Sequence, residues 1–357
     1  MDNADKLRAE IKNLGLDGFF ITDPYNVRYI SKFTGWDSFL LITADRKFFI
    51  TDGRYLEQAS EECAGYEIVN WREKELPLWQ TLSSVAGDAK ITRLGFEAAD
   101  LKYDRYSELS ENIGFIEFSP VYGVVERLRA VKTGYEIECL RKAADIASRA
   151  FDRLLNDIRP GVTEKYLAVK LNNYIWEEGG DVRPGSPTLL SGARSSLLHG
   201  KPSDKKVEYG DLVLTDFGAL YDGYNSDITK TVVVGKATDK QKEIYEIEKQ
   251  AVDCQIKAVK AGVSAREPYF ASVVPMKDTG YLEYHYDKIG HGVGLFIHEA
   301  PFMSPKTEDF LQENNVITAE PGMYIPGWGG VRIEDMVLVK KDGCEILNKF
   351  SRELIVV

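Results

Sequence analysis

Residues 212–234, LVLTDFGALYDGYNSDITKTVVV, contain two apolar runs rich in β-branched residues, separated by a segment with turn-forming residues. The first run ends near Asp216 and the second begins after Asp227, while Gly223 and Asn225 are available for the turn between them. This pattern predicts a β-hairpin that carries two acids near its turn.

Two more acids and a histidine occupy comparable positions downstream. Glu320 and Glu334 each lie within an apolar run, and His291 lies in the sequence GHGVG, where glycines let the backbone approach a site closely. A lone acid in a strand is more often a solvated residue on the outer face. Several acids buried in sheets are costly unless cations neutralise them, so the group as a whole indicates a metal centre.

These five residues form a hard, oxygen-rich set of candidate metal ligands: Asp216, Asp227, His291, Glu320 and Glu334. Carboxylates and an imidazole suit Mn, Co, Fe or Zn, and four carboxylates exceed what one ion needs. The sequence therefore predicts a centre with two divalent ions.

The motifs around these residues, TDFG, NSDITKT, GHGVGLFIHEAP, TAEPGMY and VRIED, resemble those of the M24 metallopeptidases. The similarity is closest to the Xaa-Pro aminopeptidases and the Xaa-Pro dipeptidases (prolidases), and it extends upstream through residues 128–132. It implies an α/β N-terminal domain of the creatinase/prolidase type, followed by an α+β pita-bread domain with an internal pseudo-two-fold repeat. It also implies a homodimer that binds two divalent ions per subunit, Mn²⁺ or Co²⁺ in the first place, with Zn²⁺ or Fe²⁺ as alternatives.

The N-terminal third of the chain alternates helix and strand patterns. Leu7, Ile11 and Leu14 mark one apolar helix face, and the runs 18–21 and 39–42 have the composition of strands. This alternation predicts a separate α/β domain.

The remainder of the chain shows a faint internal repeat. An order of helix, loop, helix and acidic strand leads to Asp216, and the same order leads again to Glu320. The long helix of the second copy begins with a capping box formed by Thr238 and Gln241. The predicted domains are residues 1–124 and 125–357.

His199, His298 and Glu320 are the candidate catalytic residues. The resemblance assigns Glu320 to accept the proton of the attacking water, which the two metal ions would hold as a bridging hydroxide. His298 lies in the strand-like stretch 294–299, and His199 lies in a loop that resembles the family's histidine-bearing loop over the active site. Both histidines are expected to stabilise the tetrahedral oxyanion and to help protonate the departing nitrogen.

Three further residues are candidates for contacts with the carboxylates or the substrate: Arg332, Phe302 and Asp287. Arg332 would clamp the metal-binding carboxylates, and an exposed strand arginine is the alternative. Asp287 stands where enzymes specific for Xaa-Pro usually carry a histidine, four residues before His291. Phe302 stands where dipeptidases of the family can place an arginine that holds a free C-terminal carboxylate.

The leading functional prediction is an exopeptidase that hydrolyses the Xaa-Pro bond at the N-terminus of peptides, an Xaa-Pro aminopeptidase. An Xaa-Pro dipeptidase is the alternative, and Phe302 favours longer substrates. A creatinase-like C–N hydrolase and an inactive protein-binding module on the same scaffold are weaker alternatives, because both would be expected to have lost metal ligands.

Composition excludes some partners. With 45 basic and 56 acidic residues the net charge is −11, so nucleic acid and anionic membranes are not expected partners. No signal-peptide core or membrane-spanning run is visible, which predicts a cytoplasmic protein. The four cysteines lack CxxC spacing and are expected to be reduced thiols. The expected ligands are short proline-containing peptides.

Overall fold

The computed structural model describes residues 2–73, 76–185 and 187–357, and the chain divides into two compact units, Met1–Arg129 and Ala130–Val357. The predicted architecture, an α/β unit followed by an α+β unit of pita-bread type, is confirmed. The boundary between residues 124 and 125 stays a prediction, and a helix begins there, at Val124.

The α-helices of the described residues are α1 (Asn3–Asn13), α2 (Pro24–Ser31), α3 (Leu56–Glu62), α4 (Leu78–Asp88), α5 (Tyr103–Asn112), α6 (Val124–Ala130), α7 (Gly134–Leu154), α8 (Glu164–Glu177), α9 (Asp239–Ala258) and α10 (Arg266–Ser272). Short 3-10 helices cover Gly192–Ser196, Val274–Met276 and Leu282–Tyr284. In the part of the chain that the structure describes, no helix is long and apolar enough to cross a membrane.

The strands are β1 (Gly18–Ile21), β2 (Phe39–Thr43), β3 (Lys47–Thr51), β4 (Glu67–Asn70), β5 (Arg93–Glu97), β6 (Glu117–Val121), β7 (Asp181–Val182), β8 (Thr188–Ser191), β9 (Leu212–Phe217), β10 (Ala219–Tyr221), β11 (Tyr224–Asn225), β12 (Ile228–Val233), β13 (His291–Gly292), β14 (Glu299–Phe302), β15 (Val316–Ala319), β16 (Gly322–Ile325), β17 (Gly329–Arg332), β18 (Asp335–Lys340), β19 (Gly343–Ile346) and β20 (Ile355–Val356).

The first unit is built on a six-stranded mixed sheet in the order β4-β3-β2-β1-β5-β6. All four residues of β1 are buried, as expected for a strand covered on both faces. The predicted strands at 18–21 and 39–42 are therefore confirmed. The predicted apolar face of α1 is correct for Leu7 and Ile11 and wrong for Leu14, which is 43% exposed because the helix ends at Asn13.

Long capped helices support the sheets of the second unit. Thr133 forms a capping box with Glu136 at the start of α7, and the predicted box of Thr238 with Gln241 starts α9. The aromatic ring of Phe151 on α7 stacks on Phe217 at the end of β9, with centroids 5.2 Å apart. A buried helix face thus holds the acidic hairpin in place.

Two sheets carry the candidate site residues. One has the order β20-β12-β9-β8 and the other β14-β13-β15-β18-β19. The predicted hairpin is formed by β9 and β12, which pair antiparallel with Asp216 opposite Thr229. The small ribbon β10–β11 lies between them, and its two turn residues, Asp222 and Gly223, both have positive φ, as in a type I′ turn.

Backbone contacts join the two halves of this unit beside the site. The N–H of Glu334 donates to the carbonyl of Thr229 at 3.1 Å. The Thr231 hydroxyl donates to the carbonyl of Arg332 at 2.9 Å, and the Arg332 N–H lies 3.2 Å from the same hydroxyl. The predicted repeat is present: α7 and α8 precede the acidic strand β9, and α9 and α10 precede β15.

Candidate active site

The five predicted metal ligands converge at the ends of strands. Asp216 lies in β9 and Asp227 directly precedes β12, while Glu320 directly follows β15 and Glu334 lies between β17 and β18. His291 opens β13. Three overlapping groups have ligand atoms within 4.8 Å of one another: Asp216 with Asp227 and Glu334; His291 with Glu320 and Glu334; Asp227 with His291 and His298.

His291 presents one ring nitrogen to the acids. Its Nδ1 lies 3.0 Å from the carbonyl of Gly292, an acceptor that fixes the proton on Nδ1 and leaves Nε2 as the potential ligand atom. Nε2 lies 3.2 Å from Glu320 Oε1 and 3.6 Å from Asp227 Oδ2. Burial acts to lower the pKa of His291, but the Glu320 carboxylate, the Asp227 carboxylate and the Gly292 carbonyl together raise that pKa to about 9. The acids therefore favour a positive charge at this position.

Glu334 shows that the acids lack sufficient counter-charge from the protein. The residue is 1% exposed, and burial, followed by the charges of Asp227 and Glu320, raises its pKa well above the usual value. Its Oε2 accepts a hydrogen bond from the Thr229 hydroxyl at 2.6 Å, but Oε1 has no hydrogen-bond partner among the described residues. An unpaired buried carboxylate oxygen beside two further carboxylates is the donor set that a divalent cation would satisfy, so these residues fit the metal ions that the sequence implied.

Arg332 lies against the acids, at the position where sequence reasoning placed a clamp. Its guanidinium donates from Nη2 to Asp216 Oδ2, from Nε to the Thr229 hydroxyl at 2.8 Å and from Nη1 to the Tyr324 hydroxyl at 2.7 Å. Because the same Thr229 hydroxyl donates to Glu334, one arginine positions carboxylates from both sheets.

A cavity of about 470 Å³ opens beside the acids. His199, His298 and Glu320, the three predicted catalytic residues, all line it. The His298 ring meets the His291 ring edge to face, with centroids 4.4 Å apart. Burial, followed by the charge of His291, lowers the pKa of His298, so this imidazole is neutral near pH 7 and has both a donor and an acceptor nitrogen.

Phe302 and Asp287, the two residues linked to substrate choice, occupy different positions relative to the cavity. Phe302 lines the cavity and is 46% exposed. Asp287 is exposed and is not among the residues that line the cavity, although its neighbours Tyr286 and Lys288 are.

The predicted strand through residues 294–299 is wrong. Residues 294–298 form bends, and β14 begins only at Glu299. The pairing of β13 with β14 shifts register between His291 and Gly292, and a Cβ added at Gly294 would lie 2.3 Å from the Glu299 carboxylate. The chain therefore loops out tightly through Gly294, where a side chain would displace the buried Glu299 carboxylate, and this loop carries His298 over His291.

Comparison with known proteins agrees with this geometry. The profile of metallopeptidase family M24 matches residues 138–341, and the creatinase/prolidase N-terminal domain matches residues 4–131. The chain belongs to metallopeptidase family M24. It is therefore a metallopeptidase, a hydrolase of peptide bonds, in a family that binds divalent metal.

Similar proteins align along the whole M24 chain. An Xaa-Pro dipeptidase of Pyrococcus furiosus is 37% identical, with 99% of each chain covered. Among solved structures, an Xaa-Pro dipeptidase from Bacillus anthracis has a TM-score of 0.93 at 41% identity, with 99% of each chain covered. An X-Pro aminopeptidase from Thermotoga maritima also has a TM-score of 0.93, at 35% identity and 100% coverage of both chains. The relatives thus carry both names that sequence reasoning considered.

Sequence reasoning gave no role to Arg183, which lies in the site of this M24 chain. Its Nη1 lies 3.2 Å from Asp227 Oδ1 and its Nη2 lies 3.7 Å from Asp216 Oδ1. A single arginine before Pro184 and Gly185 carries no pattern from which this position could have been predicted. Together with Arg332 it places two guanidinium groups against the acids.

Proposed function

We propose that this chain hydrolyses the bond between an N-terminal residue and a following proline in short peptides. It would use two divalent ions, Mn²⁺ or Co²⁺ in the first place, held by the five converging residues: Asp216, Asp227, His291, Glu320 and Glu334. The observation that carries the proposal is the unpaired Oε1 of Glu334 within this buried acidic group. Cytoplasmic location and homodimer formation stay predictions.

When bound, divalent ions would supply Lewis acidity, which polarises the scissile carbonyl and lowers the pKa of water so that a nucleophile is available near neutral pH. The side chains of the chain supply proton transfer and orientation. Glu320 borders both the acidic group and the cavity, and its Oε1 accepts a hydrogen bond from Thr318 at 2.9 Å. Burial acts to raise the pKa of Glu320, but the hydrogen bond and charge of His291, the charge of Arg332 and the hydrogen bond from Thr318 together lower that pKa below its usual value. Glu320 is therefore ionised and able to accept the proton of the attacking water.

His298 and His199 would serve the other end of the reaction. Both line the cavity beside Glu320, where an imidazole N–H can donate a hydrogen bond to a developing oxyanion and a protonated imidazole can transfer its proton to a departing nitrogen. The nitrogen of an Xaa-Pro bond belongs to a tertiary amide without N–H, so it must gain a proton to leave as an amine. Two histidines facing one cavity suit this substrate.

Aminopeptidase and dipeptidase remain two candidate forms of the proposed activity. Phe302 in the cavity wall, in place of an arginine, favours the aminopeptidase. Both kinds of enzyme occur among the relatives, and the names Xaa-Pro dipeptidase and prolidase recur among them.

The test is hydrolysis of Ala-Pro, Ala-Pro-Ala and Ala-Ala-Ala by chelator-treated protein, before and after addition of Mn²⁺ or Co²⁺. We expect metal to restore cleavage of a proline-containing peptide and not of Ala-Ala-Ala. Glu320→Gln should abolish the activity, and Glu283→Gln, on an exposed 3-10 helix away from the cavity lining, should retain it.

Cleavage of the tripeptide alone would indicate an aminopeptidase, and preference for Ala-Pro a dipeptidase. Equal cleavage of Ala-Ala-Ala would contradict proline specificity. No hydrolysis of any peptide by metal-loaded protein would overturn the proposal, leaving a C–N hydrolase of another substrate or a binding module.

A further inference from the structure

The wall of the substrate cavity contains a lysine that no acid among the described residues neutralises. Lys288 is exposed and lines the cavity with His199, His298 and Phe302. It makes no salt bridge with any residue that the structure describes. Arg183 and Arg332, by contrast, face Asp216 directly. Lys288 is thus a cation of this cavity that is free to meet a ligand.

The backbone fixes the side of the chain from which Lys288 projects. The N–H of Ile289 donates to the carbonyl of Met303 at 3.2 Å, and the N–H of Met303 donates to the carbonyl of Gly290 at 2.8 Å. This ladder extends the β13–β14 pairing, so the lysine lies beside the segment that contains Phe302. Tyr286, Lys288 and Gly290 line the cavity, whereas the intervening Ile289 is completely buried, as the two-residue period of an extended chain requires.

The position of Lys288 relates it to the reaction centre. It precedes His291 by three residues, which an extended chain spans in at most about 10 Å. The carboxylate of an Xaa-Pro dipeptide is only three bonds from the scissile carbonyl carbon, and the long, flexible side chain of a lysine in the wall of the same cavity can extend toward it. That carboxylate must lose part of its hydration when it enters the cavity, and a cation in the cavity wall offsets this cost.

We propose that Lys288 binds the free C-terminal carboxylate of a short peptide substrate. The inference rests on the proposed function and narrows its substrate class to dipeptides and tripeptides whose carboxylate lies close to the scissile bond. Lys288, on the segment that lies beside Phe302, then supplies the cation, while the Phe302 ring provides an apolar wall for the proline ring. Phe302 therefore does not by itself exclude dipeptides.

The test compares Ala-Pro with Ala-Pro-amide, which differs only in the charge of the C-terminus. We expect the wild-type protein to prefer the acid, and Lys288→Met to lower kcat/KM for the acid about five- to tenfold, mainly through KM, with little effect on the amide. Lys288→Arg should keep the preference. Lys306→Met, an exposed lysine outside the cavity lining, is the matched control and should behave as wild type.

A binding measurement separates this inference from the proposed function. In the Glu320→Gln background, where turnover is blocked, calorimetric titration of Mn²⁺-loaded protein with Ala-Pro should show about five- to tenfold weaker binding when Lys288 is also replaced by Met. Unchanged affinity, or an unchanged preference for acid over amide, would overturn the role of Lys288. Lysine-dependent binding without cleavage by the wild-type protein would overturn the proposed hydrolysis and support the carboxylate site.

Discussion

Glu334→Gln should change stability in opposite directions with and without metal. The side chain is 1% exposed and its Oε1 has no hydrogen-bond partner in the described part of the chain. Leaving a buried polar group unsatisfied costs about 1–3 kcal/mol. Glutamine keeps an oxygen for the Thr229 hydroxyl and places an amide where Glu334 repels Asp227 and Glu320. We therefore expect the metal-free variant to be about 1–3 kcal/mol more stable than wild type.

Metal should reverse this order. A ligand at 100 times its Kd stabilises the folded state by about 2.7 kcal/mol, and the variant should gain much less because it lacks one anionic donor. The assay is urea unfolding at pH 7 in chelator and in excess Mn²⁺, with the exposed Glu283→Gln as control. If Glu334→Gln is less stable than wild type in chelator, or gains as much from Mn²⁺, the residue is not an unsatisfied metal ligand.

Three further predictions concern buried ionisable side chains in the described part of the chain. Glu248 is completely buried, neither of its oxygens is hydrogen-bonded, and burial raises its pKa well above 4.5. The free energy of unfolding of the wild-type protein should therefore fall by about 1.4 kcal/mol for each pH unit above 4.5. Glu248→Met should remove this slope and stabilise the protein by about 1–3 kcal/mol in urea unfolding at pH 7. Burial lowers the pKa of His285 from 6.5 to about 4, so between these pH values the unfolded chain binds a proton that the folded chain does not. Thermal unfolding scans should therefore show the free energy of unfolding dropping by up to about 3 kcal/mol as pH falls through this range, and His285→Phe should show a smaller drop. Lys132→Met should cost about 3–5 kcal/mol in urea unfolding, because it leaves the buried Glu299 without the ammonium 2.6 Å away, and adding Glu299→Gln should recover much of the loss.

The acidic hairpin could be predicted because its determinants are local. Two β-branched runs, with Gly223 in a turn between them, specify antiparallel pairing, and the pairing brings Asp216 close to Asp227 whatever surrounds them. The capping box at Thr238 is also local, and it is present. Local patterns do not place the Glu320 and Glu334 segments against that hairpin; the resemblance to a known family supplied this step, and the structure brings all five side chains together.

Features that depend on long-range packing could not be predicted from the sequence. Residues 294–299 have strand composition, but the register shift at His291 and the close approach of Gly294 to Glu299 override it. The approach of Arg183 to Asp216 depends on a loop whose course no periodicity describes. Lys288 gave no signal either, because an exposed lysine is ordinary until the residues that share its cavity are known.

The placement of the acids explains why the site needs both halves of the second unit. The half with β9 and β12 contributes Asp216 and Asp227, and the half with β13, β15 and β18 contributes Glu320 and Glu334 together with His291, so each half supplies one pair of carboxylates. The halves are joined where Glu334 N–H meets the Thr229 carbonyl, and the Thr229 hydroxyl beside it links Arg332 to the Glu334 carboxylate. The hydrogen bonds that join the sheets are therefore continuous with those that orient the acids. A change that separates the sheets would also alter the spacing of the ligands, so metal affinity should report on the packing of the two halves as well as on the ligands themselves.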